Sequence, residues 1–276
     1  MEESGWSGLS ARLAYALRAL ADLLVPRRCL VCGAPLETVP VGVPRHWLPE
    51  HLCPDCLEDL PETYFWSWEE NPAEQQLWHR VGILRAASLY FYRQGSDYTR
   101  LVQAVKYAGN LRLGRALGRE LGLRMRSRFL QPFVEELYGE EVPPVQAVIP
   151  VPLHALRRLR RGYNQAEVIA RGLAEGLGCG GDSGSSPGRP LPVVTDLLRR
   201  GRYTRTQTRL DAESKRRNVA GAFVLRPGAV ARLQKAGIRH LLVVDDVMTT
   251  GATLSEAIKP LLAHFRVSVA TIAFVE

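Results

Sequence analysis

The spacing of apolar positions changes along the chain, and each change marks an element. Leu9, Leu13, Ala16, Leu17, Leu20 and Leu24 fall on one helical face, which predicts an amphipathic helix over residues 8–24. The polar, aromatic stretch 64–80 has no such period and reads as a linker. Its Tyr64, Phe65, Trp66, Trp68 and Trp78 either dock one domain on another or stack on bases, and docking is the favoured reading. Residues 81–92 read as strands of a hairpin or edge. Residues 97–107 and 111–129 read as two helices parted by the stop signal Gly109-Asn110. A short apolar strand at 145–149 is broken by Pro150-Val151-Pro152, and a long helix follows to about Leu177, unless the polar set Gly162-Tyr163-Asn164-Gln165 starts a new helix at Asn164. Residues 178–190 (GCGGDSGSSPGRP) look like an inserted linker or loop tip. Strand-like stretches at 191–195, 219–225 and 238–244 come next, then a helix in which Pro260 forces a kink or stop, and a last strand at 267–275. Strands alternating with helices over 145–276 predict an α/β fold with a parallel sheet, whose ligands bind beyond the carboxyl ends of the strands.

One of those ends carries the most specific chemistry. In HLLVVDDVMTTGATLSEAI, the apolar run 241–244 should end as a strand at Asp245 and Asp246. Thr249, Thr250, Gly251, Ala252 and Thr253 then form a small, hydroxylated loop at the start of a helix. Unpaired backbone N–H groups and threonine hydroxyls suit a phosphate, and Gly251 lets the backbone approach it. Carboxylates suit hydroxyl groups, or a Mg²⁺ ion bridging to them. Acid pair and phosphate cradle together match a sugar phosphate. The chain has no GxxxxGK[ST] loop, which excludes the usual ATPase site.

Cysteine usage adds a second centre. Cys29, Cys32, Cys53 and Cys56 form two CxxC knuckles, the spacing of a closed tetrahedral S₄ site that favours structural Zn²⁺. His46 and His51 lie between the knuckles, but four thiolates already close the shell. Cys179 stands apart.

Charge narrows the partners only slightly. The chain of 276 residues is 46% hydrophobic and carries a net charge of +8, with a sequence pI near 9.5. All but four of the cations are arginine, which suits bidentate phosphate contacts. Arg157, Arg158, Arg160 and Arg161 follow the Pro150–Leu153 turn: one face reaches a ligand there, or the helix is simply a solvated basic one. The polar, basic stretch 199–217 is too long for a plain turn and reads as a closing lid, a nucleic-acid contact or a linker. Lys106 ends a predicted helix, where it either favours the dipole or serves a site as a cation. No apolar run approaches the ~20 residues of a membrane span, and no cleavage site follows residues 8–24, so a cytoplasmic protein is expected.

VVDDVMTTGAT resembles the signature of type I phosphoribosyltransferases. The whole set CLVC/CPDC, VKYAGNLRLG, PVPLHALRRLRRGYNQAE, TRTQTRL…RRNVAGAF and VVDDVMTTGAT is similar to the ComF family of competence-associated proteins. The resemblance implies a small zinc-ribbon domain (residues 1–80) ahead of a phosphoribosyltransferase-like domain (residues 81–276). It implies that Asp245 and Asp246 hold the ribose of phosphoribosyl pyrophosphate (PRPP) or its Mg²⁺, with Arg161 and Lys106 as companion cations. The 5′-phosphate then falls to Thr249–Thr253, the pyrophosphate to Pro150–Leu153 with Val151 and Pro152 central, and the mobile loop to 199–217. The implied activity is pentosyl transfer from PRPP, or binding without turnover. The implied context is uptake of single-stranded DNA, with a helicase partner in some bacteria. No base-recognition flap follows the last strand, so the ribbon and residues 57–80 are expected to form the hood.

Overall fold

The computed structural model describes residues 26–36, 47–135, 139–179, 189–201 and 221–276. The expected helix at 8–24, His46, most of the 178–190 stretch and all but the first three residues of 199–217 lie outside these. After a short 3₁₀ turn at Leu48–Glu50, the elements in chain order are α1 (Pro54–Glu58), α2 (Pro72–Trp78), β1 (Ala86–Tyr92), α3 (Thr99–Tyr107), α4 (Leu111–Phe129), β2 (Phe133–Glu135), β3 (Glu140–Val142), β4 (Ala147–Pro150), α5 (Ala155–Arg161), α6 (Gln165–Gly178), β5 (Leu198–Arg200), β6 (Phe223–Leu225), α7 (Pro227–Lys235), β7 (His240–Met248), α8 (Ala252–Ile258) and β8 (Arg266–Val275).

Four strands form one parallel sheet in the order β1-β8-β7-β4. Alternation along each strand feeds two cores. Leu242, Val244, Ala270 and Ile272 face one side with α3, α4 and α6. Leu241, Val243, Val267 and Val269 face the other with α2, α7 and α8. The result is a sheet with helices on both faces, as strands this uniformly apolar require. Both outer strands are shielded. Thr63 donates to the Leu89 carbonyl and Phe91 to that of Pro61 beside β1, while Val148 donates to Pro192 and Val194 to Val148 beside β4.

Three sequence expectations that carried alternatives resolve in detail. The stretch 64–80 is no free linker: Phe65 is 1% exposed and meets Phe91 and Phe274 edge-on. Its helix α2 starts on a capping box, with Asn71 accepting from Glu74 N–H and the Glu74 carboxylate accepting from Asn71 N–H. The stretch up to Leu177 is two helices, with the break at the polar set: Gly162 adopts a left-handed conformation (φ 77°) that closes α5 before Asn164 opens α6. Residues 81–92 give a single edge strand, not a hairpin.

α4 and α6 form the tightest helix pair. Gly118 and Gly122 on α4 face Ile169 and Leu173 carbonyls, and Gly172 and Gly176 on α6 face Arg115 and Arg119 carbonyls. A Cβ at any of the four would overlap backbone, so the helix axes approach more closely than side chains allow.

Candidate functional site

The acid pair sits inside β7, not beyond its end. β8 supplies partners past it, Thr271 opposite Asp245 and Phe274 opposite Met248, so the strand runs on to Met248. Alternation therefore sends Asp245 and Asp246 toward opposite faces of the sheet. A cation meets the pair from each side. Lys106, at the end of α3, places Nζ 3.2 Å from Asp246 Oδ1. Arg200, at the end of β5, lies near enough to Asp245 that each biases the other's ionisation. Both acids keep partial exposure. Burial, then repulsion from Asp246, raises the Asp245 carboxyl to about 7. The Asp246 N–H donates to Asp245 Oδ1 at 2.9 Å, which works in the other direction.

The predicted phosphate loop follows directly. Gly251 is left-handed (φ 70°), and its carbonyl accepts from both the N–H and the hydroxyl of Ser255. A Cβ there would stand 3.1 Å from Leu77 Cδ2, so α2 packs directly on the loop. Gln76 Nε2 also donates to the Thr249 carbonyl at 2.5 Å. Thr249 is exposed, Thr250 and Thr253 are partly so, and Ala252 is buried. Gln76 and Leu77 thus lie against the loop.

Val151 and Pro152 begin the neighbouring loop, beyond β4. Val151 donates to the Val244 carbonyl at 2.8 Å, which fixes this loop beside the acid pair. Asn164 Nδ2 holds the Val151 carbonyl at 3.1 Å, and the Tyr163 hydroxyl holds that of Val105, one residue before Lys106. The Arg161 guanidinium lies 5.3 Å from the Tyr107 ring centroid. The RGYN turn therefore braces both the loop and the lysine. The structure brings the candidates Lys106, Arg161, Val151 and the acids into one neighbourhood, together with Arg200, Asn164 and Gln76, which the sequence did not single out. Arg200 and Gln76 reach the site from segments distant in the chain, and no local pattern announces them. Asn164 was visible only as a helix opener.

The four cysteines form the second centre. Their Sγ atoms all lie within 4.8 Å of one another, and Cys32 and Cys53 stand 3.6 Å apart. Zn–S bonds of about 2.3 Å put tetrahedral sulfurs roughly 3.8 Å apart, so the cluster fits the ion closely. Burial opposes ionisation of Cys29, but N–H groups of Cys32, Cys53 and Val31 lower it to about 6, as a metal-ready thiolate needs. Two contacts tie the knuckles to α3: the Tyr98 hydroxyl donates to the Cys56 carbonyl at 2.9 Å, and Arg100 Nη1 to that of Val31 at 2.6 Å. The helix that carries Lys106 thus rests on the cysteine cluster. Cys53→Ser, or chelation, is expected to lower unfolding stability by at least about 3 kcal/mol, followed by urea denaturation with and without added Zn²⁺.

No family model matches the chain. Comparison with known proteins finds Competence protein F of Haemophilus influenzae, 33% identical over 159 residues, which are 58% of this chain and 59% of that protein. The match thus spans less than two thirds of this relative. DNA utilization protein YhgH of Salmonella typhimurium is 32% identical over 257 residues, covering 88% of this chain and 93% of the relative. The chain belongs to the ComF family. Another ComF relative, YhgH of Escherichia coli K12, is 28% identical over 253 residues, with the same coverage. The mixed α/β architecture with a four-cysteine cluster agrees with what the ComF resemblance implied. Among the described residues, no helix is long and apolar enough to cross a membrane.

Proposed function

We propose that this ComF-family chain binds PRPP or a related ribose phosphate at the carboxyl ends of β4 and β7, in the service of DNA uptake. The observation that carries this reading is the meeting of three parts at those ends: the acid pair flanked by Lys106 and Arg200, the 249–253 loop, and the loop starting at Val151. In this reading Asp245 and Asp246 accept hydrogen bonds from the ribose hydroxyls, directly or through a Mg²⁺ ion that shields the diphosphate charge. Backbone N–H groups and hydroxyls of Thr249–Thr253 take the 5′-phosphate. Val151 and Pro152 line the pyrophosphate, with Arg161 and Arg200 as countercharges. Lys106 holds Asp246 until the ligand arrives. The names of the relatives, Competence protein F and DNA utilization protein, support the DNA context.

Turnover, where it occurs, is pentosyl transfer. A nucleophile bonds to C1 of the ribose as the C1–O bond breaks, and that electron pair leaves with pyrophosphate. Positioning and charge stabilisation supply most of the catalysis. The test is titration with PRPP at millimolar Mg²⁺, followed by calorimetry and by pyrophosphate release with candidate acceptors. Wild type should bind, and Asp245→Asn with Asp246→Asn should lose at least about tenfold in affinity. No heat with PRPP or any ribonucleotide overturns the reading.

The alternative is a module that binds single-stranded DNA without turnover. Tyr64, Trp68 and Trp78 favour it, since each exposes more than 40% of its surface. Salt-dependent binding of single strands that survives loss of the acid pair, with no response to PRPP, selects this alternative.

A further inference from the structure

At the opposite end of the sheet, where β1 and β8 begin, a cavity of about 620 Å³ opens between α2, the end of α4 and β2. Arg85 stands in its wall and is only 8% exposed. One of its N–H groups is used: Nη1 donates to the Arg128 carbonyl, while the guanidinium lies 3.7 Å from the Phe133 ring centroid. It has no carboxylate within ion-pairing distance among the described residues. Arg128, beside it, is fully compensated by Glu74 Oε1 at 3.2 Å and the carbonyls of Phe65 and Trp68. A buried guanidinium that leaves most of its five N–H donors without protein partners is costly unless an anion meets it. With Arg85 in the cavity wall, a ligand there can meet the donors left without partners among the described residues.

One part of the cavity wall suits an apolar body. Ile83, Leu84, Phe265 and Val267 line it. At its rim Trp78, Val134 and Leu262 expose 42%, 60% and 39% of their surface, a cluster of large apolar side chains held open to solvent. A volume of this size, lined by apolar side chains interleaved with three arginines and three glutamates, has the character of a small-molecule site. Charge sets the class further. Arg85 has only longer-range attraction from Glu69 and Glu74 among the described residues and so calls for one negative charge, while Arg266 on the wall is paired with Glu140 and the three wall glutamates repel a second charge. That disfavours phosphates and nucleic acid backbones.

We propose that this cavity is a second ligand site, which takes an organic monoanion, a carboxylate or sulfonate carried on an aromatic or branched apolar body, with Arg85 as its anchor. The site lies at the far end of the strands from Asp245 and stands independently of the ribose-phosphate reading.

The probe is 8-anilinonaphthalene-1-sulfonate, an aromatic monosulfonate that fluoresces when shielded from water. Full-length protein should bind it saturably at one equivalent. Indole-3-acetate should displace it, and inorganic phosphate should not. Arg85→Met should weaken binding at least tenfold. Leu262→Glu, at the exposed rim, should do the same without touching the core, and it decides the matter if the Arg85 variant does not fold. The double Asp245→Asn, Asp246→Asn variant should bind as wild type does. Unchanged binding in the Leu262 variant means adventitious dye on apolar surface and overturns the proposal, as does displacement by phosphate or loss in the double aspartate variant.

Discussion

Replacing Gly172 by alanine should destabilise the fold by about 3 kcal/mol or more, a large effect for one methyl group. The new Cβ would overlap the carbonyl oxygen of Arg115 on α4, and the next nearest atoms are also backbone of that residue. A clash with a flexible side chain relaxes by a rotamer change, whereas a clash with helix backbone relaxes only if the helices part. Parting them opens gaps along the whole pair, because Gly118, Gly122 and Gly176 make the same kind of approach on either side. The damage should reach the site. α4 follows directly on α3, which carries Lys106, and α6 begins at the turn where Tyr163 and Asn164 hold Val105 and Val151. Gly228→Ala is the control. Its Cβ would meet nothing within 4 Å, and alanine favours the helix there, so stability should stay level or rise by up to about 1 kcal/mol. Urea denaturation of the two variants separates them, and equal midpoints would refute the close-packing argument.

Local signals carried much of this structure. Gly109-Asn110 parted α3 from α4, and the Asn110 side chain accepts from Leu113 N–H as a cap should. Pro260 marked the end of α8, which closes at Ile258. The CxxC pair announced the cysteine cluster, because four thiols at that spacing have few other uses. The misplacements share a cause, which is pairing between distant segments. Asp245 and Asp246 look like a strand exit until β8 provides Thr271 to Phe274 as partners. Arg200 belongs to a basic stretch with no period, and only the antiparallel pairing of β5 with β6 brings it to Asp245. Two features were written locally and still passed over. Asn71-Pro72-Ala73-Glu74 is a capping box, but its aromatic surroundings suggested a linker. The four-residue spacing of Gly114, Gly118 and Gly122, and of Gly172 and Gly176, reads as weak helix until the partner helix is known.

Asp245→Asn should make the protein more stable at pH 8 while it weakens ribose-phosphate binding. The carboxyl is raised to about 7 in the folded chain, first by burial and then by Asp246, against about 3.9 when unfolded. Below about pH 4 both states hold the proton, and the group costs nothing. Between pH 4 and 7 the unfolded state releases its proton while the folded state keeps it, so stability falls as pH rises. Above 7 the full penalty is present. The gap of about three pKa units corresponds to a ceiling of about 4 kcal/mol, and partial exposure of the residue brings the expected figure to about 2 kcal/mol. At roughly 2–4 °C per kcal/mol, the variant should melt some 4–8 °C higher than wild type at pH 8 and nearly with it at pH 4. Binding runs the other way. An amide offers one neutral acceptor where the carboxylate offers two charged ones, so affinity for PRPP should fall about tenfold or more. Wild-type affinity should rise between pH 6 and 8 as the acid ionises, and the variant should lose that slope. Thermal melts and titrations at both pH values test the two halves together. If wild type and variant show the same pH slope in melting, Asp245 does not carry the buried charge assigned to it; if only the binding slope persists, the ribose hydroxyls are held elsewhere.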